Sequence, residues 1–140
     1  MTDASADERQ RARRLLAHEG AIGGNAEASA TAAGRVYDKL IAQLGPVLGP
    51  AGVRALFERS AKLGRVESAG LADIAILESS TTLATFCRTL DPAVAANAME
   101  TLFGTFLSLV TTFIGERLTF QALRRAWPTI EATAAAEGKR

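Results

Sequence analysis

The clearest hydrophobic pattern of the chain lies between residues 26 and 44. Apolar side chains recur there at intervals of three and four positions, namely Ala33, Val36, Tyr37, Leu40, Ile41 and Leu44. This spacing places them along one face of an α-helix. Asn25 is a favourable residue to begin that helix, and Gly45 in the segment GPVLGP is expected to end it. The pattern therefore predicts an amphipathic helix with one buried face.

The same kind of spacing predicts three further helices around this one. The first is a short helix over 7–18 that buries Leu15 and Leu16 and stops at Gly20. The second starts at Pro50 and buries Val53, Leu56, Phe57 and Leu63. After a loop over 64–70, the third runs from Leu71 to Leu90.

The longest predicted helix begins at Asp91 and Pro92. Aspartate can accept hydrogen bonds from the free N–H groups of a first helical turn, and proline loses no bond there. The apolar pattern continues to Trp127, so the helix would contain about 36 residues and measure about 54 Å. Because that exceeds the size of a domain of this length, we expect a bend at Gly104 or Gly115.

Residues 101–115 of this helix contain no charged side chain. Large apolar residues fall on one face, which we expect to form the core: Leu102, Phe103, Phe106, Leu109, Val110 and Phe113. Small or hydroxylated residues fall on the other: Thr101, Gly104, Ser108, Thr111, Thr112 and Gly115. A solvated face would ordinarily contain Lys and Glu, so we expect protein to cover both faces.

The uncharged stretch is too short to cross a membrane. As a helix it would span about 22 Å, against about 30 Å for the hydrocarbon core of a bilayer. Glu100 precedes it, and Glu116 and Arg117 follow it. The sequence therefore predicts a central helix of a soluble core and no membrane span.

After Gly115 the apolar stripe changes direction, which indicates a second environment. Tryptophan and arginine are enriched where proteins meet, and both occur here. The candidate interface residues are Gly104, Ser108, Thr112, Gly115, Phe120, Leu123, Arg124 and Trp127. The alternative to a contact with a partner is that the last turn of the helix docks onto the same chain.

Composition and charge narrow the possible partners. The 140 residues suit one domain, 1–140, with flexible tails expected at 1–6 and 129–140. A net charge of +1 provides no electrostatic attraction for nucleic acid. The arginine-rich segment 9–14 is predicted to be a solvated first helix turn or a loose arm. The single Cys87 excludes an internal disulfide, and the N-terminus lacks a secretory signal, so we expect a cytoplasmic protein.

Catalytic and metal-binding patterns are missing from the sequence. Glu116 and Tyr37 are the candidate buried polar groups, but no second acid or histidine lies at helical spacing from Glu116. His18, the only histidine, is expected to be exposed at a helix end. We therefore expect no cofactor, no metal and no enzymatic activity; an enzyme built around Glu116 is a weaker candidate.

The C-terminal segment VTTFIGERLTFQALRRAWP resembles a V-T-F-I-G-E-x-L-T-x-x-L-x-x-x-W-P ending found in small bacterial all-helical proteins. The resemblance covers about 20 residues and implies no activity. It implies that Phe113, Gly115, Glu116, Thr119 and Trp127 belong to one local device.

The sequence thus predicts an all-α, single-domain bundle of about five helices with a long, bent, central C-terminal helix. The first functional hypothesis is an interaction module that forms a homodimer through that helix. The alternative is a ligand-binding sensor with an apolar pocket between helices, lined by Phe57, Phe86, Phe103, Phe106 and Phe113 and oriented by Glu116 or Tyr37. The expected partner is a second copy, another protein or a small apolar ligand.

Overall fold

Five helices make up the part of the chain that the structure describes. The computed structural model describes residues 2–20, 26–68, 71 and 79–128, and no strand occurs in these ranges. The helices are α1 (Thr2–His18), α2 (Ala26–Leu48), α3 (Pro50–Gly64), α4 (Ser80–Arg88) and α5 (Pro92–Ala126). The predicted all-α bundle with a long C-terminal helix is confirmed.

Helix α5 is the centre of the bundle, because it contacts the other four helices. Phe57 of α3 stacks on Phe106 with ring centroids 3.9 Å apart, and meets the edge of the Phe103 ring at 5.8 Å. The ring centroid of Tyr37, on α2, lies 4.6 Å from that of Phe57. Buried aromatic rings in such contacts contribute both apolar area and preferred geometry. The meeting point of α2, α3 and α5 is therefore the middle of the core.

Helix α1 packs on the small-residue face of α5. A Cβ atom placed on Gly104 would lie 2.8 Å from Cγ and 3.0 Å from Cα of Arg9, so only glycine permits this approach. Thr101 and Gly104 are buried, Ser108 is half-buried, and Thr112 is exposed. The expectation that this face is covered therefore holds only for the first half of the predicted stretch.

The arginine-rich segment 9–14 lies within helix α1. Arg9 donates to Thr101 Oγ1 at 3.2 Å and pairs with Glu67 at 3.0 Å, while Arg13 pairs with Glu100 at 3.2 Å. The expectation of a loose arm at 9–14 is wrong, because the segment belongs to α1 and two of its arginines pair with other parts of the chain, whereas Gln10, Arg13 and Arg14 are exposed, as a solvated helix turn requires. Helix α1 also begins at Thr2, within the segment predicted as a tail.

Helix α2 is longer than predicted. It continues through Pro46 to Leu48, and the left-handed residue after it is Gly49, with φ of 83°, rather than Gly45. A proline in the last turn removes one hydrogen bond without ending the helix. The Gly49 N–H closes the end by donating to the Gly45 carbonyl at 2.7 Å. Pro50 then occupies the first turn of α3, as predicted.

Two predictions on α3 and α4 are wrong. Leu63 is 45% exposed, because the buried row of α3 passes instead through Ser60, Ala61 and Gly64. The helix predicted over 71–90 is not continuous, because the backbone of Ser79 is extended. The Ser79 side chain accepts a hydrogen bond from the Thr82 N–H, and α4 starts at Ser80. The described part of the predicted loop, 64–68, is not helical beyond Gly64. Asn25 and residues 69–70, 72–78 and 129–140 lie outside the described residues.

Helix α5 starts and bends where expected. Pro92 follows Asp91 at the first turn, although the Asp91 side chain accepts no capping hydrogen bond. Gly115 has φ of 88° and ψ of 161°, which is not helical, whereas Gly104 is helical. Positive φ is readily available only to glycine, so Gly115 divides α5 into a first part, 92–114, and a second part, 116–126.

By length and composition alone, α5 could cross a membrane. It contains an 18-residue window of mean hydropathy 1.4, and it is the one such helix among the described residues. Within the protein, 56% of that window is buried. The core helix of a soluble protein meets the same criterion, so the expectation of no membrane span stays a prediction.

Candidate functional site

An exposed apolar surface surrounds the bend in α5. Phe113 is 65% exposed and Leu118 is 43% exposed, on the two sides of Gly115. The expectation that Phe113 belongs to the core face is wrong, because burial of that face ends at Val110, one helical turn earlier. We call Thr112, Phe113, Gly115 and Leu118 the bend surface.

Phe113 is unusual among the aromatic residues of this chain. All of them lie in the part that the structure describes, and Phe113 is the only one whose side chain is exposed; Phe86 and Phe120 are half-buried and the others are buried. A large exposed ring next to a bend is typical of a contact surface.

The turn between α2 and α3 lies at the same end of the bundle as the bend. Phe57 stacks on Phe106, while Gly64 lies against Thr101, so α3 runs antiparallel to the first part of α5. Seven residues back from Phe57 the chain reaches Pro50, which is therefore level with Phe113. Val47, at the end of α2, is 52% exposed. This end of the molecule thus presents apolar side chains from two helices.

Beyond the bend the chain returns alongside α1. The guanidinium carbon of Arg11 lies 4.5 Å from the centroid of the Phe120 ring, and Trp127 contacts Glu19. Residues 11–19 and residues 120–127 therefore run in the same direction between these two contacts. Thr119, Ala122, Leu123 and Trp127 are buried in this part of the chain. We call residues 116–127 the strap.

A buried carboxylate holds the end of the strap. Glu19 is only 7% exposed, and its Oε2 atom accepts a hydrogen bond of 2.7 Å from the indole Nε1 of Trp127. The ammonium group of Lys39 pairs with the same oxygen and lies 5.5 Å from the centroid of the Trp127 ring. Arg35 donates to the Glu19 backbone carbonyl at 3.3 Å. We call Glu19, Lys39 and Trp127 the clasp.

The clasp keeps Glu19 ionised. Burial by itself raises the pKa of this carboxyl, but the hydrogen bonds from Lys39 and Trp127 and the charges of Lys39 and His18 outweigh it, so the pKa lies below its ordinary value. The group is therefore an anion at neutral pH. An ionised carboxylate that accepts two hydrogen bonds suits a structural role better than proton transfer.

The predicted interface residues fall into two groups in the structure. Gly104, Leu123 and Trp127 are buried within the chain itself, and Phe120 is half-buried beneath Arg11. They are therefore not available to a second copy in this arrangement. Trp127 docks on its own chain, which was the alternative to an interface. Those still accessible are Thr112, Gly115 and Arg124, which are exposed, and Ser108, which is half-buried.

The two predicted buried polar groups behave differently. Glu116 is exposed directly after Gly115, so its prediction as a buried group is wrong. Tyr37 is 1% exposed, and burial raises the pKa of its hydroxyl. Cys87 is also buried, and burial raises its pKa to about 11, which makes its thiol unreactive at neutral pH. His18 is exposed in the last turn of α1, as expected.

Sequence reasoning missed Glu19, although a signal was present. Helix α1 ends at His18, and Glu19 lies between that residue and Gly20, which has a positive φ. The helix dipole makes an acid unfavourable at this end unless donors compensate for its charge. Such an acid should have prompted a search for a cation and an N–H donor elsewhere in the chain.

Neither a metal centre nor a known relative helps to interpret these features. Within the described ranges, no group of three or more His, Cys, Asp or Glu residues could hold a metal ion. Comparison of the chain with protein-family models, curated proteins and solved structures finds no match. The bend surface and the strap are therefore interpreted from their geometry alone.

Proposed function

We propose that this protein is a non-enzymatic helical interaction module that associates with a second copy through the bend surface of α5. The exposure of Phe113 is the observation that supports this proposal, since every other aromatic side chain is at least half-buried. Burying a phenylalanine side chain contributes about 1.5–3 kcal/mol, which gives a strong reason for a partner to cover it.

The charges beside the bend suit a two-fold arrangement of identical chains. Glu116 and Arg117 are adjacent and exposed. Across a two-fold axis, the acid of one copy can face the base of the other, and the same contact then forms twice. Such pairs fix orientation more than they add affinity, so the apolar residues supply most of the binding energy.

The geometry favours self-association over a ligand-binding sensor. Phe57 stacks on Phe106 and meets the edge of the Phe103 ring, so these rings fill the space that a ligand would occupy, while Phe113 is exposed. One cavity beside α5, of about 280 Å³, is lined by Leu63 and Gly104 together with charged and polar groups that include Arg9 and Glu67. An apolar ligand gains little from such a lining.

Light scattering after gel filtration tests the proposal. The wild-type protein is expected at twice the monomer mass of 14.7 kDa. Phe113→Ser should weaken dimerisation about 1,000-fold, because it removes an apolar anchor worth about 2 kcal/mol from each of the two copies.

Val66→Ser is the matched control. Val66 is 91% exposed but follows the end of α3, away from the bend, so its loss should leave the dimer intact. A wild-type monomer at micromolar concentration, or equal weakening by both substitutions, would show that the bend surface is not the contact.

A further inference from the structure

A polar cleft of about 280 Å³ lies where α1, α3 and α5 come together, and the proposed dimer contact does not use it. Its lining comes from these three helices and the turn after α3: Arg9, Leu63, Glu67, Gly104, Thr105 and Ser108. We infer that this cleft binds a small, uncharged molecule with several hydroxyl groups, of the class of monosaccharides. The inference goes beyond the proposed self-association and does not depend on it.

The charged groups of the cleft are held in place and balance each other. The guanidinium of Arg9 donates to Glu67 Oε1 at 3.0 Å and to Thr101 Oγ1 at 3.2 Å. Glycine at position 104 permits this, because a Cβ atom there would lie 2.8 Å from Arg9 Cγ. The guanidinium keeps further N–H donors, and the Glu67 carboxylate keeps a second oxygen that accepts. Since the two charges cancel, a ligand with a net charge gains little here.

Hydroxyl groups continue the polar wall along α5. Thr105 and Ser108 are half-buried and lie about one helical turn apart. Thr112, one turn further, donates its hydroxyl to the Ser108 carbonyl at 2.9 Å. The hydroxyls of Thr105 and Ser108 form no hydrogen bond with any residue that the structure describes, and both residues line the cleft. They are therefore available to donate to a ligand or to accept from it.

One apolar side chain gives the cleft a second kind of contact. Leu63 is 45% exposed, and it lies opposite the polar groups that α1 and α5 contribute to the lining. A sugar ring carries hydroxyls around its edge and C–H groups on its faces, so a face can pack on Leu63 while the edge forms hydrogen bonds. Neighbouring hydroxyls suit Arg9 and Glu67 in particular, because one accepts from the guanidinium while the next donates to the carboxylate.

The size of the cleft limits the ligand to a single ring. Pockets for small molecules generally measure about 300–1,000 Å³, and this cleft lies just below that range. A monosaccharide therefore matches both the volume and the lining, whereas an apolar molecule would leave the charged pair and the hydroxyls without partners.

Titration of the full-length protein with D-glucose, D-ribose and L-serine tests the class of ligand. Amide signals in two-dimensional ¹⁵N–¹H NMR spectra report where each compound binds. At least one of the two sugars should shift the signals of Leu63, Glu67, Thr105 and Ser108, with saturation in the millimolar range. L-Serine, a zwitterion with a single hydroxyl, should not. Absence of saturable shifts with either sugar up to about 100 mM, or shifts with L-serine alone, would overturn the inference.

Glu67→Gln tests the position of the site. Glu67 belongs to an exposed ion pair, so its loss should leave the fold intact, which circular dichroism checks. The variant lacks the charged acceptor, so the Kd for the sugar should rise about tenfold. Ser108→Leu, which fills the cleft, should abolish the saturable shifts.

Glu58→Gln is the matched control, because Glu58 is an exposed acid of α3 that does not line the cleft. Its Kd should equal that of the wild type. An equal Kd for the wild type and Glu67→Gln, or equal weakening by Glu67→Gln and Glu58→Gln, would overturn the assignment of the cleft. Light scattering on the same samples reports on self-association separately, so the two proposals can fail independently.

Discussion

At the residue scale, Glu19 joins three distant parts of the chain. Its carboxylate lies at the C-terminal end of α1, where the helix dipole disfavours negative charge. Lys39 and Trp127 compensate for that charge, and they come from α2 and from the end of the strap. A buried charge is tolerated only when it is paired and hydrogen-bonded. The positions of α1, α2 and the strap are therefore energetically coupled through one oxygen atom.

Glu19→Gln should destabilise the protein in a pH-dependent way. Glutamine can still accept from the Trp127 N–H but loses the ion pair with Lys39, so we expect a loss of about 1–2 kcal/mol in the free energy of unfolding at pH 7. The pKa of Glu19 in the folded protein lies below its ordinary value of 4.5, so its contribution is present above about pH 4.5 and disappears as the pH falls through the folded pKa. Urea denaturation at several pH values measures this.

The control for that experiment is Glu27→Gln. Glu27 pairs with Arg88 at 2.9 Å on an exposed surface, so its removal should change the stability at pH 7 little. The gap between wild type and Glu19→Gln should narrow below pH 4.5. A gap of constant size from pH 7 to pH 3 would contradict the ionised clasp.

At the element scale, the closest packing lies between α1 and α5. Gly104→Ala should cost about 1–3 kcal/mol, because the new methyl group would meet the backbone of Arg9 at 3.0 Å and 3.2 Å. Gly45→Ala is the control within α2: nothing lies within 4 Å of its Cβ position, so it should stabilise the protein by about 0.5–1 kcal/mol. Chemical denaturation compares them, and a neutral Gly104→Ala would argue against this packing.

The sequence predicted the elements better than their contacts. The apolar face of α2, the start of α3 at Pro50 and the bend at Gly115 follow from local signals, such as residue spacing, proline position and glycine freedom. Local signals do not show which helix covers which face. Phe113 was therefore placed in the core, and the clasp was missed because its members lie 20 and 108 residues apart.

At the scale of the whole molecule, the proposed dimer would form at the end of the bundle that exposes Phe113, Leu118 and Val47. Dimerisation of the folded state predicts that the melting temperature rises with protein concentration, because mass action favours the associated form. Calorimetry over about a hundredfold range of concentration measures this, and Phe113→Ser should remove the dependence. A melting temperature that stays constant for the wild type would contradict association of the folded chains.

The chain has a single tryptophan, and the clasp holds it. When the protein is excited at the red edge of its absorption band, where Tyr37 hardly absorbs, the emission comes from this indole and reports on one contact. Release of the C-terminal end would change the emission while the circular dichroism of the helices stayed almost constant. Local opening can thus be followed in native buffer, with no label attached.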